Sequence, residues 1–168
     1  RAGGPRPVVV DARPIPVGHP VHESTFLPAG EGMPRGEVRR SNRFPNCTYF
    51  TNWSRVEDVM TWEIDVLAAG AYEVLMDYTC AEAGSIIEVT AGHARLSATI
   101  GPEWNPPLRE SEDRVQRQES YLKEFRPLVL GTLQLDRGKT TLSLRATRIA
   151  GEQAADVYQL TLRRISTK

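Results

Sequence analysis

Few side chains in this sequence could serve as bases, nucleophiles or metal ligands, and none stands in a catalytic arrangement. A general base would be drawn from His19, His22 and His93, the only histidines. No nucleophile is placed beside them, so all three read as exposed or structural. There is no Gly-x-Ser-x-Gly elbow, no phosphate-binding glycine loop ending in Lys-Ser or Lys-Thr, and no His-Glu-x-x-His helix. Cys47 and Cys80 lack the Cys-x-x-Cys spacing of a zinc site and are too few for a disulfide framework. They read as buried free thiols, with one bridge between neighbouring strands as the alternative in an exported protein. The chemistry left to this chain is binding.

Trp53 and Trp104 fall outside the regular alternation, and an exposed indole is a flat apolar surface for the C–H face of a sugar ring. Core packing or loop anchoring is the alternative for each. Tyr121 would add a further aromatic wall. Arg35, Arg39, Arg40 and Arg43 form a basic cluster that, with Arg109, could pair bidentately with sulfate or carboxylate groups. A solvated loop or an inter-domain contact is the alternative. Asp156, just before the last strand, is a candidate ligand for a structural calcium that ties the ends of the fold together, or else a simple capping aspartate. No other cofactor is expected. The sequons Asn46-Cys47-Thr48 and Asn52-Trp53-Ser54 matter only in a glycosylating host.

These residues must be positioned by a chain of 168 residues, 40% apolar and 25% charged, which is the size of one domain with one core. Lys plus Arg and Asp plus Glu are 21 each, so the global positive field of a nucleic-acid binder is absent and no nucleic-acid partner is expected. No apolar run is long enough for a membrane span, so no membrane partner is expected and the chain reads as soluble. There is no signal-peptide pattern; the start at Arg1 reads as a piece of a longer polypeptide, any export signal lying upstream.

Residues 1–43 are dense in Pro and Gly and read as an irregular leader, with 44–168 as the folded module. Met60, Trp62, Ile64 and Val66 alternate with polar residues, as do Tyr72, Val74, Met76 and Tyr78 after the turn at Ala69-Gly70; the pair reads as a hairpin. Ile87 and Val89 turn at Gly92 into Leu96, Ala98 and Ile100. Leu130, Leu133 and Leu135 turn at Asp136-Arg137-Gly138 into Leu142 and Leu144, and Tyr158, Leu160 and Leu162 close the set. Short alternating strands without a long amphipathic helix predict an all-β, antiparallel β-sandwich of the jelly-roll kind. Its core would hold Met60, Trp62, Ile64, Tyr72, Val74, Met76, Leu142, Leu144, Leu160 and Leu162. The charged stretch 103–126 reads as a long loop, with a short helix over 111–124 as an option.

RRSNRFPNCTYFTNW, then MTWEIDVLAAGAYEVLMDYTC and NPPLRESEDRVQRQESYLKEFRPLVLGTLQL, resemble the region C-terminal to the catalytic domain in bacterial N-acetylgalactosamine-6-sulfatase-like arylsulfatases, over about 35–165. A Trp strand, a Gly-x-Tyr and the spacing from Leu135 to Leu144 are also similar to galactose-binding-like carbohydrate-binding modules. The sulfatase nucleophile comes from a Cys/Ser-x-Pro-x-Arg motif. Here Cys47 is followed by Thr-Tyr-Phe-Thr and Cys80 by Ala-Glu-Ala-Gly, so that motif is missing. The resemblance therefore implies a non-catalytic accessory domain in an exported protein. Its implied partners are an upstream sulfatase catalytic domain, joined through the leader, and sulfated polysaccharide. A purely structural domain packed on the catalytic one is the alternative, and an independent jelly-roll hydrolase or lyase a remoter one. Incubation of the chain with aryl sulfates and glycosidase substrates is expected to give no turnover above buffer; activity abolished by a point substitution would overturn this reading.

Overall fold

The computed structural model describes residues 13–44, 47–106 and 124–165. Two sheets face one another across a single apolar core, as the alternation requires. The first sheet orders β1 (Ile15–Val17), β6 (Val59–Val66), β11 (Gly138–Arg148), β8 (Ile86–Ala91) and β9 (Ala94–Thr99), with β3 (Met33–Arg35) also on β6. The second orders β10 (Arg126–Leu135), β7 (Gly70–Thr79), β12 (Asp156–Arg164), β5 (Phe50–Thr51) and β4 (Arg39–Arg40), with β2 (Ser24–Pro28) also on β12. All pairings are antiparallel except β1 on β6. The ten residues expected in the core are all buried. The expected helix over 111–124 falls, but for Glu124, outside the described residues.

Two of the three expected hairpins are instead crossings between sheets. β6 and β7 lie in opposite sheets, as do β10 and β11; only β8 and β9 pair directly, through the turn at Gly92. Alternation fixes which side chains are buried but is the same for a hairpin and for an arch that carries the chain over the core. The 67–69 arch is fixed by hydrogen bonds from the Leu67 N–H to the Val17 carbonyl (2.7 Å) and from the Tyr72 hydroxyl to the Ala68 carbonyl (2.6 Å). Gly18, with φ +85°, lies against that hydroxyl where a Cβ would collide.

The stretch expected to be irregular supplies β1 to β4 and thus joins both sheets. These strands are too short for periodicity to reveal, and long-range contacts hold them. The buried Trp62 indole donates to the Pro28 carbonyl (2.9 Å), and Phe50 meets its ring edge-on at 5.6 Å. A Cβ on Gly32 would lie 2.8 Å from the same indole. Trp62→Ala would empty a large core site and orphan that carbonyl, so a loss of about 3–5 kcal/mol is expected in chemical unfolding. An unchanged midpoint would show that Trp62 does not bear on stability.

Candidate functional site

The connections 52–58, 80–85 and 149–155 gather at one end of the sandwich, together with 100–106 and 124–125. Loops there must satisfy their backbone groups without a ladder. In the first, the wholly buried Asp58 carboxylate accepts N–H groups from Glu37 (2.7 Å), Ser54 and Arg55 (both 3.1 Å), with the Arg55 guanidinium at 3.6 Å. Gly36, at φ +101°, leaves room for it. Sequence reading missed this residue, because an aspartate in a turn before a strand looks like any solvated turn acid. Cys80 and Trp104 exchange backbone hydrogen bonds of 2.7 and 3.0 Å. The Tyr78 hydroxyl donates to the Pro102 carbonyl (2.6 Å), and burial pushes its pKa up.

These ties frame a cleft of about 160 Å³, lined among others by Thr79, Cys80, Glu82, Asn105, Gln153 and Asp156. The Gln153 amide oxygen accepts the Asn52 N–H (3.2 Å), joining two of the loops. Glu82 packs against Gly151, where any Cβ would clash with its carboxylate. With Glu152 also in the lining, the cleft is acidic.

Beyond the cleft runs the outward face of the second sheet, whose register stacks side chains in rows. Asp156 faces Thr79 beneath the loops, and next comes Tyr158, turned outward by the bulge between Val157 and Gln159. Phe125 stacks on Tyr158 at 5.3 Å, and Tyr49 meets Phe125 edge-on at 5.3 Å. The following row is Pro28, Gln159, Asp77 and Pro127, where the Gln159 amide donates to Asp77 (2.9 Å). Then come Phe26, Thr161, Leu75 and Val129, with Phe26 56% and Val129 54% exposed. Arg163, paired with Glu73, closes the track. Alternate outward positions on a strand are about 7 Å apart, so apolar and hydrogen-bonding rungs succeed one another over the face. The outward face of the first sheet is polar instead, with Glu63 bound to Thr141 and Glu88 at 3.6 Å from Arg95, and only Met33 (53% exposed) strongly apolar.

The expected site residues that are described serve separate structural roles. Trp53 is 0% exposed and cannot stack on a ligand; the 52–58 and 149–155 loops cover it, with Ala154 bound to its carbonyl (2.8 Å), and its indole N–H meets no acceptor among the described residues. Half-buried Trp104 is an anchor, its indole donating to the Glu124 carbonyl (2.6 Å) and its ring covered by the Arg126 guanidinium at 4.8 Å. Arg40 donates to the Ala29 carbonyl (3.1 Å) and to that of Gly32, so it is a structural residue rather than a free anion reader. Arg43 lies over the Phe44 ring at 5.5 Å, while Arg39 is exposed on β4. Tyr121 and Arg109 lie outside the described residues. Asp156, expected at a calcium, is buried opposite Thr79, and among the described residues no three His, Cys, Asp or Glu side chains are grouped to hold a metal. Both cysteines are free thiols. His19 and His22 sit together at the opposite end of the sandwich, along with the β8–β9 turn that carries His93.

No protein-family model matches the sequence, and no curated protein matches it. Solved structures do share the fold. A family 35 carbohydrate-binding module from Clostridium thermocellum is matched over 86% of this chain and 100% of its own, with 10% identity and a TM-score of 0.57. The C-terminal family 6 module of LamC, a laminarinase from Zobellia galactanivorans, is matched over 84% and 99%, with 9% identity and a TM-score of 0.59. In the Podospora anserina GH26-CBM35 β-(1,4)-mannanase this chain covers only 28% of the whole, matching over 87% of itself with 13% identity and a TM-score of 0.57. These likenesses establish the β-sandwich.

Burial pushes the pKa of the Cys80 thiol up, the Trp104 N–H pulls it down and nearby Glu103 raises it again. Since the thiolate is the reactive form, Cys80 is expected to react with a disulfide reagent at pH 8 at least about tenfold more slowly than an unstructured thiol. Mass mapping of the labelled chain checks this; equal rates before and after unfolding would show an open cleft floor.

Proposed function

We propose that this chain is a non-catalytic carbohydrate-binding domain that serves a catalytic domain in the same polypeptide. The observation that carries the reading is the track on the second sheet: aromatic and aliphatic surface for sugar C–H faces, with the amide and carboxylate of Gln159 and Asp77 between them for hydroxyls. Three whole or embedded modules of the same fold are carbohydrate-binding modules by name, which supports the class without fixing the sugar. Arg163 of the track is paired with Glu73, Asp77 keeps its negative charge under the Gln159 amide and the cleft is acidic, so a glycan lying there is neutral. A sulfatase as the attached enzyme, sulfated glycan as its substrate and an exported location rest on the sequence resemblance alone. Such a domain holds polymer near the active site and raises its local concentration by tethering.

The exposed Phe26 and Val129 also favour a second reading, in which this face packs against the catalytic domain. Titration of neutral polysaccharides, mannans and β-glucans first, distinguishes the two. Phe26→Ala and Val129→Ala are each expected to weaken glycan binding about tenfold, the scale of an anchor lost from a contact. Met33→Ala, equally exposed on the other sheet, is expected to change nothing, and added salt to matter little. A chain that binds no glycan but associates with its catalytic domain through Phe26 would establish the packing reading instead.

A further inference from the structure

The track on the second sheet keeps its polar groups at the centre and its apolar groups along both sides. Across the face lie β2, β12, β7 and β10, in a register that sets Pro28 beside Gln159, Gln159 beside Asp77 and Asp77 beside Pro127. In the neighbouring row Phe26 and Val129 again stand outermost, with Thr161 and Leu75 between them. That outer pair is more than half exposed, whereas the four central side chains are half-buried. Three strand spacings put the outer strands about 14 Å apart, a width that the flanking side chains narrow. A sugar ring laid flat there would set its C–H face on the amide and carboxylate and its hydroxyls against the flanks. Set on edge, it turns its C–H faces to the apolar flanks and its hydroxyls to the centre, which satisfies both.

At that centre the Gln159 amide donates to Asp77 Oδ2 (2.9 Å). A carboxylate only accepts, so the amide nitrogen must face it and the amide oxygen is turned away. Among the described residues neither Asp77 Oδ1 nor the Gln159 amide oxygen meets another side-chain donor. The two residues are directly opposed in register, so they offer a ligand two acceptor oxygens and one further N–H side by side. We propose, resting on the carbohydrate-binding reading of this face, that the Asp77–Gln159 pair determines its specificity and selects neutral 1,4-linked glycans by gripping the adjacent hydroxyls at C2 and C3 of one sugar. A 1,4-linked chain leaves those two hydroxyls free on neighbouring carbons. A 1,3-linked chain leaves C2 and C4 hydroxyls with the linkage oxygen between them, so it reaches the carboxylate or the amide but not both, and the other gives up water without regaining a bond. On the first sheet the outward carboxylates are engaged differently: the Thr141 hydroxyl spans both oxygens of Glu63, and Glu88 faces Arg95.

Calorimetric titration of the unaltered chain compares mannohexaose and cellohexaose, both 1,4-linked, with 1,3-linked laminarihexaose. The better bound of the first two is expected to exceed laminarihexaose at least about tenfold in affinity, the scale of one hydrogen bond to a charged group. Asp77→Ala and Gln159→Ala should each remove most of that preference, and the two combined should cost little more than either alone, because the pair acts as a unit. Weak binding through the apolar flanks should remain in these variants. Glu63→Ala, on the other sheet, should leave the preference unchanged. Should an alanine variant fail to fold, the isosteric Asp77→Asn, which removes the charge, is expected to lower the preference in the same direction. Equal binding of 1,3- and 1,4-linked hexaoses that Phe26→Ala weakens would overturn the proposal and leave the carbohydrate-binding reading standing. A 1,4 preference that survives the Asp77 and Gln159 substitutions would do the same. Binding of no hexaose at all would overturn the carbohydrate-binding reading, and the proposal with it.

Discussion

A buried indole N–H that must find an acceptor organises this fold. Trp62 stands in the middle of β6 with its ring in the core, and its one acceptor is a carbonyl from a segment that belongs to neither sheet's central strands. Meeting that demand draws residues 28–32 across the mouth of the sandwich, where Gly32 alone can pass the ring and Arg40 binds the carbonyls left over. Once that segment is fixed, β2 is laid on β12 and β3 on β6, and the outward face of the second sheet gains Phe26. The exposed surface thus depends on a contact inside the core.

The two ends of the sandwich answer to different constraints. At one, four connections carry polar backbone that Asp58, Tyr78 and the Cys80–Trp104 exchange satisfy, and the space left between them is the acidic cleft. At the other, the arches over the core are short and leave charged and imidazole side chains at the surface around open hollows. The acids Glu82, Glu152 and Asp156 gather at the first end, whereas at the second Glu23 and Asp136 stand among Arg164, Arg137 and Lys139.

Much of the core was legible in sequence, because burial on a strand has a period of two and Met60, Trp62, Ile64, Tyr72, Val74 and Met76 obey it. Sheet membership was not, since the arch at 67–69 looks like a hairpin turn until the Val17 carbonyl that receives it is known. The surface was less legible still. Tyr158 shares the alternation of Leu160 and Leu162, and only the bulge after Val157 turns it outward beside Phe125. Trp53 and Trp104 looked free because they interrupt alternation, yet loop residues are buried when other loops close over them. Phe26 was hidden in a stretch whose Pro and Gly content suggested no structure at all.

The edge strand β10 has a consequence for how the molecule behaves among copies of itself. Ten residues long and bordering the apolar row, it would ordinarily offer a continuous line of unpaired amides to another strand. Pro127 supplies no N–H, the bulge between Val129 and Gly131 breaks the repeat, and Leu96 of β9 leans over Gly131 from the opposite sheet. Crowding therefore has no regular template from which to propagate a fibre. The face can stay adhesive to a polymer laid across it while its border resists strand-by-strand growth.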